Sequence, residues 1–241
     1  MKSSVSVLVS SFDGYRDLWK PLEKSYNKYW KDCPYDIYIS TNFINEGFTK
    51  FLPIATGHDK TWSEMLIKTL KKIESDYVLL TFDDLFFYNK IDTKNVIKHI
   101  NNALSRDANY YQLYPSISNK TKINDDFSEK NKSTKYRNGT VWSLWKKEVL
   151  LELLDVEENA WEFEINGNFR SNSYDRFYTS NKTIIPYLNA VVKGVWVRDI
   201  FFKLKKDNII KDSIERKKMN YLSFYIYKIK LQIYNLYRRL L

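Results

Sequence analysis

One short apolar run constrains the fold more than any other feature of this sequence. Residues Tyr77–Phe82 (YVLLTF) are apolar almost throughout, and two aspartates, Asp83 and Asp84, end the run abruptly. A strand without polar alternation is typical of a sheet covered on both faces, because a half-exposed strand would alternate with a period of two. We therefore expect Tyr77–Phe82 to be a central strand with helices on both sides of its sheet.

Strand-like and helix-like segments alternate along the rest of the chain. We predict further strands at Val5–Ser10, 36–40, 110–114 and 141–145, and helices at 17–29, 61–72, 93–104 and 147–154. Thr61 or Ser63 is expected to cap the second helix. The polar stretch 116–138 is expected to be a mobile loop. This alternation predicts an α/β fold with a mixed, mostly parallel sheet flanked by helices and a C-terminal helical extension.

Charge divides the chain into a body and a tail. The 241 residues carry a formal net charge of +10, yet residues 203–241 alone hold eleven Lys or Arg against three Asp or Glu. We therefore expect a catalytic domain over residues 1–202 and a basic amphipathic helical tail over residues 203–241. Cys33 is the single cysteine, which excludes an internal disulfide and fits a reducing cytoplasm.

Several function classes lack their sequence signatures. The six glycines form neither a GxGxxG nor a Walker A motif, which argues against dehydrogenases and kinases. His58 and His99 are the two histidines, and they lack metal-ligand spacing. No G-x-S-x-G segment supports a serine hydrolase. Paired carboxylates would also suit a glycoside hydrolase, which stays as an alternative.

The adjacent carboxylates of Asp83 and Asp84 form the sharpest candidate site. In open α/β sheets, ligands bind beyond the carboxyl ends of the strands. Two neighbouring carboxylates repel each other unless a cation or a hydrogen-bonded ligand compensates them. A divalent cation, Mn²⁺ or Mg²⁺, with carboxylate and diphosphate oxygens as ligands would do so, and would offset charge on a departing nucleoside diphosphate. In the alternative interpretation, both aspartates cap the next turn or helix.

Three segments carry a resemblance to a known family. They are VSVLVSSFDG, GHDKTWSEMLIKTLKKIESDYVLLTFDDLFF and ENAWEFEING. Together they resemble the GT-A glycosyltransferases, in which a DxD-type motif follows a central hydrophobic strand. More narrowly, they are similar to small bacterial transferases of surface-polysaccharide biosynthesis (capsule, O-antigen or lipooligosaccharide). Phe82 departs from that pattern, because many of those relatives have a third acidic residue there.

The resemblance implies which residues contact the donor. The implied nucleotide-binding residues are Ser11, Asp13, Asp59, Trp62, Ser63 and Asp83. Among them, Asp13 would lie near the base or ribose and Asp83 near the ribose or sugar, while Asp84 would bind the metal and the diphosphate. The structural alternatives are a turn role for Asp13 before Gly14, and a packing role for Trp62.

A second acidic cluster spans residues 157–164. Inverting glycosyl transfer needs a carboxylate within hydrogen-bond reach of the acceptor hydroxyl. The resembling family places its candidate base in this segment, so we take Glu164 as the first catalytic candidate and Glu162 as the second. If residues 161–164 are extended, both glutamates point to one side and the intervening Phe163 to the other. The alternative is a solvated acidic start of a helix.

The tail has the pattern of an amphipathic helix. Its predicted apolar face comprises Leu222, Tyr225, Ile226, Ile229, Ile233, Leu236, Tyr237 and Leu240. Such a helix, rich in Lys, Arg and Tyr, is suited to lie in the headgroup region of an anionic membrane. The alternatives are a helix that packs on the body or forms a homo-oligomer, and a nucleic-acid-binding tail. Because the tail resembles no groove-reading module, we expect no nucleic-acid partner.

These observations predict an enzyme that transfers a sugar from a nucleotide-diphosphate donor. We expect a UDP-sugar donor, inversion, and a surface-glycan or lipid-linked saccharide acceptor. The N-terminus lacks a signal-peptide cleavage site, and no apolar run approaches the roughly 20 residues that span a bilayer. We therefore expect a cytoplasmic enzyme, peripheral at the inner face of the cell membrane. The alternative class is a membrane- or nucleic-acid-binding module without catalysis.

Overall fold

The computed structural model describes residues 4–211 and 216–240, with side chains described as far as residue 233. The helices are α1 (Arg16–Tyr29), α2 (Trp62–Leu70), α3 (Thr93–Ser105), α4 (Lys147–Leu153), α5 (Ala160–Arg170), α6 (Arg198–Lys206) and α7 (Tyr221–Leu240). Short 3-10 helices cover Asp13–Tyr15 and Ser171–Ser173. Leu236, Tyr237 and Leu240, which we assigned to the apolar face of the tail, lie outside the described side chains.

The strands form one large sheet and two small ones. In sheet order, the large sheet contains β3 (Leu52–Ala55), β2 (Ile37–Thr41), β1 (Val5–Ser10), β4 (Tyr77–Phe82), β9 (Ser143–Lys146), β6 (Tyr110–Gln112), β10 (Phe177–Ser180), β8 (Phe127–Lys130) and β7 (Lys120–Lys122). The small sheets pair β5 (Leu85–Phe87) with β11 (Tyr187–Asn189), and β12 (Val191–Val192) with β13 (Val195–Trp196).

Strand direction in the large sheet is mostly uniform. The strands β3, β2, β1 and β4 pair in parallel, as do β6 and β10. Only β8 and β9 run against the other strands of this sheet, since each pairs antiparallel with both of its neighbours. The predicted mixed, mostly parallel sheet flanked by helices is therefore confirmed.

The central strand is covered on both faces, as its apolar sequence predicts. In β4, Leu79 belongs to one buried cluster, whereas Val78 and Leu80 belong to a second cluster on the opposite face. The neighbouring β1 alternates in the same way, with Val7 in the first cluster and Leu8 in the second. Because these strands bury alternate side chains in two cores, only their ends can present polar groups to a ligand.

The expectation of a mobile loop at 116–138 is wrong. This stretch contains β7 and β8, and β8 pairs with β10 inside the large sheet. One of its lysines, Lys130, is fully buried: the ammonium donates to Gln112 Oε1 at 2.8 Å and lies 5.0 Å from the centre of the Tyr110 ring. The segment is polar because β7 is an exposed edge strand, and its few inward side chains are too sparse to give an apolar pattern.

The first part of the basic tail packs on the body. Helix α6 runs across the expected boundary at residue 202, and Leu204, Ile209 and Ile210 are buried in the main core. Residues 217–219 also contact the body, where the Trp196 amide donates to the Lys217 carbonyl and the Met219 amide donates to the Trp196 carbonyl. Helix α7 starts at Tyr221.

Helix α7 exposes much of its apolar face. Leu222, Tyr225 and Ile229 are among its exposed side chains, and Lys228 forms an ion pair of 2.6 Å with Asp199 of α6. No helix in residues 4–211 or 216–240 is both long enough and apolar enough to cross a membrane.

Candidate functional site

A cleft of about 780 Å³ opens where β1, β2 and β4 end. One side, which we call the strand-end wall, consists of Ser10, Ser11, Asn42, Asp59, Trp62, Asp83 and Asp84. A second part of the lining, which we call the helical wall, consists of Thr140, Val141, Ala160, Trp161 and Glu164. The turn between β12 and β13 lines the rim. The sheet therefore presents the ends of its parallel strands to one side of α5.

A buried hydrogen-bond chain holds the centre of the strand-end wall. The Ser11 hydroxyl donates to Asp83 Oδ2 in a short hydrogen bond, and it accepts from Trp19 Nε1 at 2.6 Å. The side chain of Asp83 is only 5% exposed. Because a buried carboxylate without partners is costly, the chain from Trp19 through Ser11 fixes the orientation of Asp83.

Burial disfavours the ionised form of both aspartates. Burial first, and the neighbouring Asp84 charge second, raise the pKa of Asp83 well above its usual range. Burial also raises the pKa of Asp84 to about 6, against the opposing influence of the Arg216 guanidinium. Both carboxylates occupy the turn between β4 and β5, where the Asp84 carbonyl accepts from the Ala190 amide at 2.8 Å. A cationic ligand would lower both pKa values.

The Asp59 carboxylate organises one end of the cleft. It accepts from Thr56 Oγ1 at 2.5 Å, from Asn42 Nδ2 at 3.2 Å and from Lys68 Nζ at 2.8 Å. Asp13 lies behind this end, outside the cleft lining, where its two carboxylate oxygens accept from the backbone amides of Asn42 and Phe43 at 2.9 and 3.1 Å. The structure thus gives Asp13 a turn-holding position and leaves Asn42 and Asp59 to face the cavity.

Helix α2 brings Trp62 to the cleft and turns Ser63 away from it. The predicted cap at Thr61 is confirmed, since its hydroxyl accepts from the Glu64 amide at 3.0 Å. Trp62 Nε1 donates to Ser10 Oγ at 2.8 Å, and its ring stacks near Phe82. Ser63 is fully buried and does not line the cleft; its hydroxyl has no hydrogen-bond partner within the described part of the chain.

Residues 161–164 are not extended, because they form the start of α5, as in the alternative interpretation of an acidic helix start. Asn159 caps this helix: its side chain accepts from the Trp161 and Glu162 amides, while Glu162 Oε2 accepts from the Asn159 amide at 2.8 Å. This reciprocal capping box satisfies amides that would otherwise lack partners at the helix start. Glu162 is therefore turned to the helix end and exposed, and it does not line the cleft.

Glu164 faces the cavity from the next part of the same helix. Its Oε1 accepts from the Thr140 amide at 2.9 Å and from the Thr140 hydroxyl at 2.7 Å. Within the described residues, these hydrogen bonds leave Glu164 Oε2 unengaged. The carboxylate is thus oriented by one oxygen while the other can meet a ligand.

Arg216 lies at the edge of the cleft, although the sequence placed it only in the basic tail. Its guanidinium forms a bidentate pair with Asp17, at 2.8 and 2.7 Å, and donates to the Gly194 carbonyl at 3.1 Å. It also lies 4.2 Å from the ring centre of Tyr15, which lines the cleft. Arg216 therefore connects α1 to the turn between β12 and β13.

That turn carries a second cation to the rim. Lys193 and Gly194 both have positive φ, 50° and 76°, as a two-residue hairpin turn of the type I′ class requires. Lys193 is exposed and lines the cleft. The Asn- or Asp-Gly pair is the usual sequence signal of such a turn, and Lys193-Gly194 gives only half of it. Sequence reasoning therefore missed this hairpin.

Comparison with solved structures finds similar folds at low sequence identity. Residues 1–349 of TarS from S. aureus match with a TM-score of 0.52 and 11% identity, over 76% of this chain and 59% of that one. The same protein in complex with UDP matches with a TM-score of 0.53, 11% identity and the same coverage. The galactosyltransferase LgtC, in complex with donor and acceptor sugar analogues, matches with a TM-score of 0.41 and 10% identity, over 71% of each chain.

The structural match with TarS supports the fold that the sequence predicts. These neighbours are GT-A glycosyltransferases, and the predicted GT-A-like fold class is confirmed. The chain spans about 59% of the TarS segment it matches. No protein-family model and no curated protein sequence matches this chain.

Proposed function

We propose that this protein is a glycosyltransferase that moves a sugar from a UDP-sugar, with inversion, to a surface-glycan or lipid-linked saccharide acceptor. The observation that carries the proposal is the cleft itself. In a GT-A fold, it brings the Asp83-Asp84 turn, at the end of a central strand, and the Glu164 carboxylate of the helical wall to one cavity. The match to TarS in its complex with UDP supports the choice of nucleotide.

The strand-end wall suits a nucleoside diphosphate. Asn42 and Asp59 offer amide and carboxylate groups at one end, where a base and ribose would bind, and Trp62 offers part of a ring face. Asp83, fixed by Ser11, would accept a hydrogen bond from a hydroxyl of the ribose or of the sugar. Asp13 and Ser63 would act indirectly, by holding the turn at Asn42 and the start of α2.

A divalent cation would bind at Asp84 together with the donor. No group of three or more His, Cys, Asp or Glu side chains in the described residues is placed to hold a metal on its own. Mg²⁺ in nucleotide sites is commonly held by one or two carboxylates plus substrate phosphates, and this cleft offers such a set. Asp83 Oδ2 is engaged by Ser11, so Asp84 is the carboxylate left for Mn²⁺ or Mg²⁺. The cation would offset charge on the leaving diphosphate.

Glu164 would be the catalytic base. The acceptor hydroxyl would give its proton to Glu164 Oε2 while its oxygen bonds to the anomeric carbon of the donor. The bond from that carbon to the diphosphate oxygen would break on the opposite side, and its electron pair would leave with the diphosphate. Glu162, our second candidate, is committed to the helix cap, which favours Glu164.

Two cations at the rim would assist the departure of the diphosphate. Lys193 lines the cleft, and Arg216 lies close enough to Asp83 and Asp84 to act on their pKa values. Positive side chains aimed at developing phosphate charge are a general source of transition-state stabilisation.

Nucleotide binding tests this proposal directly. Thermal unfolding should be measured with UDP, GDP, CDP and ADP, each with and without Mn²⁺. We expect selective stabilisation by UDP that increases with Mn²⁺, because a ligand that binds only the folded state raises the unfolding temperature. Stabilisation by oligonucleotides but by no nucleotide would instead support a nucleic-acid-binding module. Cleavage of nitrophenyl glycosides without any nucleotide would support a glycoside hydrolase.

The exposed face of α7 supports a location at the cytoplasmic face of the membrane. Exposed Leu222, Tyr225 and Ile229 can enter the lipid interface, while the basic residues of the tail approach anionic headgroups. Each Lys or Arg near such a surface contributes about 1 kcal/mol to binding. Such binding is reversible, and salt weakens it. A transferase that acts on lipid-linked acceptors would gain access to its substrate in this way.

A further inference from the structure

The tryptophans of this protein differ sharply in exposure. Trp161 of α5 is 75% exposed, whereas every other tryptophan is buried or half-buried. No ring within the described residues packs against the Trp161 indole, and none of their groups accepts a hydrogen bond from its Nε1. An indole left in water forgoes the free energy that burial of so large an apolar surface provides. Because this exposed indole also lines the cleft, it is placed to contact a ligand there.

Trp161 lies on the cleft side of α5, next to the candidate base. Both Trp161 and Glu164 line the cavity, and they are three residues apart on one helix, so their side chains lie on the same face. One helical turn rises only about 5.4 Å. A group whose hydroxyl meets Glu164 must therefore extend over or beside the Trp161 ring.

The backbone of Trp161 is held firmly at the helix start. Its amide donates to Asn159 Oδ1 at 3.0 Å within the capping box. The segment before the helix is held in turn, because Glu158 forms a bidentate pair with Arg170 at 2.9 and 2.5 Å. With its backbone fixed, the ring has only its own side-chain torsions to order on binding, which limits the entropy lost.

From this geometry we infer that Trp161 is the stacking platform for the acceptor saccharide, an inference that rests on the proposed function. A pyranose presents a face of C–H groups with slight positive charge, which complements the negative face of the indole ring. With the ring stacked on Trp161, one acceptor hydroxyl would point to Glu164 Oε2 one turn along the helix. Trp161 thus becomes a binding residue for the sugar that receives the new glycosidic bond.

The same helix supplies a matched control. Phe169 is 72% exposed, nearly as much as Trp161, and lies two turns further along, outside the cleft lining. If an apolar stripe of α5 simply docks on a partner or a surface, Trp161 and Phe169 should matter alike. If Trp161 is a saccharide platform, only Trp161 should matter for sugar binding.

Saturation-transfer NMR on the full chain can decide this. The probes are the methyl glycosides of glucose, galactose and N-acetylglucosamine, each added to protein saturated with UDP. We expect transfer to the ring C–H protons of at least one glycoside. Affinity for that glycoside should fall by about tenfold in Trp161→Ala, because the stacking contribution is lost. It should stay near the original value in Trp161→Phe and in Phe169→Ala.

Binding of UDP to each variant separates the two proposals. Unchanged UDP affinity with lost glycoside binding in Trp161→Ala supports the platform. Equal weakening of UDP would mean that Trp161 stacks on the nucleotide base, which overturns the inference while keeping the transferase. Equal loss in Phe169→Ala, or no glycoside binding by the UDP-bound original protein, also overturns it. Failure of the original protein to bind UDP would instead refute the proposed function itself.

Discussion

The strand-end wall and the helical wall of the cleft satisfy their polar groups in different ways. On the strand-end wall, Asp59 accepts three hydrogen bonds from the protein, and Asp83 is buried and bound to Ser11. On the helical wall, Glu164 is held through one oxygen, and Trp161 is exposed without a ring partner in the described chain. One wall is thus preorganised by internal contacts, whereas the other offers open groups.

This difference fits two ligands of different kinds. A nucleotide is a constant structure, so a wall fixed by its own hydrogen bonds can recognise it with little reorganisation. An acceptor glycan is more variable, and a single ring platform beside a single carboxylate accommodates a wider set of sugars. A substitution in one wall should therefore affect the ligand of that wall alone.

The largest effect is expected from Glu164→Gln on the helical wall. The variant keeps the shape of the side chain and its contact with Thr140, but it cannot accept a proton. Transfer should fall by at least about 100-fold, since general-base catalysis contributes on that order. UDP affinity, measured by calorimetry, should not change.

Glu162→Gln is the matched control for this substitution. Glutamine at the third helical position preserves the capping box, so both stability and transfer should stay near their original values. If the control loses activity and Glu164→Gln does not, the catalytic base is Glu162. Normal transfer by both variants would place the base outside α5.

A second large effect is expected from Asp84→Asn on the strand-end wall. Transfer should fall by about 10- to 100-fold, and the gain in UDP affinity on adding Mn²⁺ should disappear, because the carboxylate for the cation is gone. The free energy of unfolding should not fall, since the change removes charge repulsion with Asp83. Titrating UDP with and without Mn²⁺ measures both affinities; a metal effect that persists would refute the cation site.

These two walls were not equally predictable from sequence. The strand-end wall could be predicted because Tyr77–Phe82 is apolar on both faces and the polar groups begin where the strand ends. Segment 161–164 alternates between apolar and charged residues, and so short a stretch cannot distinguish a strand from a helix. The spacing of Asn159 and Glu162, which is that of a capping box, was the signal that predicts a helix there.

Arg216 shows a limit of another kind. Its partner Asp17 is 199 positions away in the sequence, and neither residue lies in a local pattern that points to the other. Because 28% of the residues are charged, the sequence contains very many possible pairs of opposite charge, and nothing in it singles out this one. Only the packing of residues 216–219 on Trp196 brings this pair together.

An intermediate effect is expected from Arg216→Gln. The variant loses the bidentate contact with Asp17, so the free energy of unfolding should fall by about 1–2 kcal/mol. The kcat for transfer should fall several-fold, because the guanidinium would no longer offset charge on the leaving diphosphate. Lys122→Gln is the control, because its exposed ion pair with Asp125 should contribute almost nothing to urea-induced unfolding. Equal stability of the two variants would refute the clamp.

The smallest effect on catalysis is expected from removing α7. Ending the chain after Asn220 keeps the contacts of residues 216–219 with the body, which a cut before Arg216 would remove. The full chain should co-sediment with vesicles containing phosphatidylglycerol at low salt, and less of it should do so at high salt. The shortened chain should stay in the supernatant. Transfer to a water-soluble acceptor should be retained.

The oligomeric state distinguishes the other role of α7. If the full chain ignores anionic vesicles even at low salt, and the shortened chain loses stability or a dimer by light scattering, then α7 is a packing or oligomerisation helix. The membrane proposal would then be wrong, while the two walls of the cleft would keep their functions.

The pair between Asp17 and Arg216 also has a consequence for how the protein is made. Synthesis proceeds from the N-terminus, and α/β layers near that end can begin to fold while later residues are still being added. Loop-closure entropy grows only slowly with length, so the pair can form at modest cost once both partners exist. Until the ribosome has added residue 216, however, a nascent chain has the strands that end at the cleft without the guanidinium that joins α1 to the hairpin. Donor affinity should therefore be acquired only after residue 216 has been synthesised and has joined Asp17.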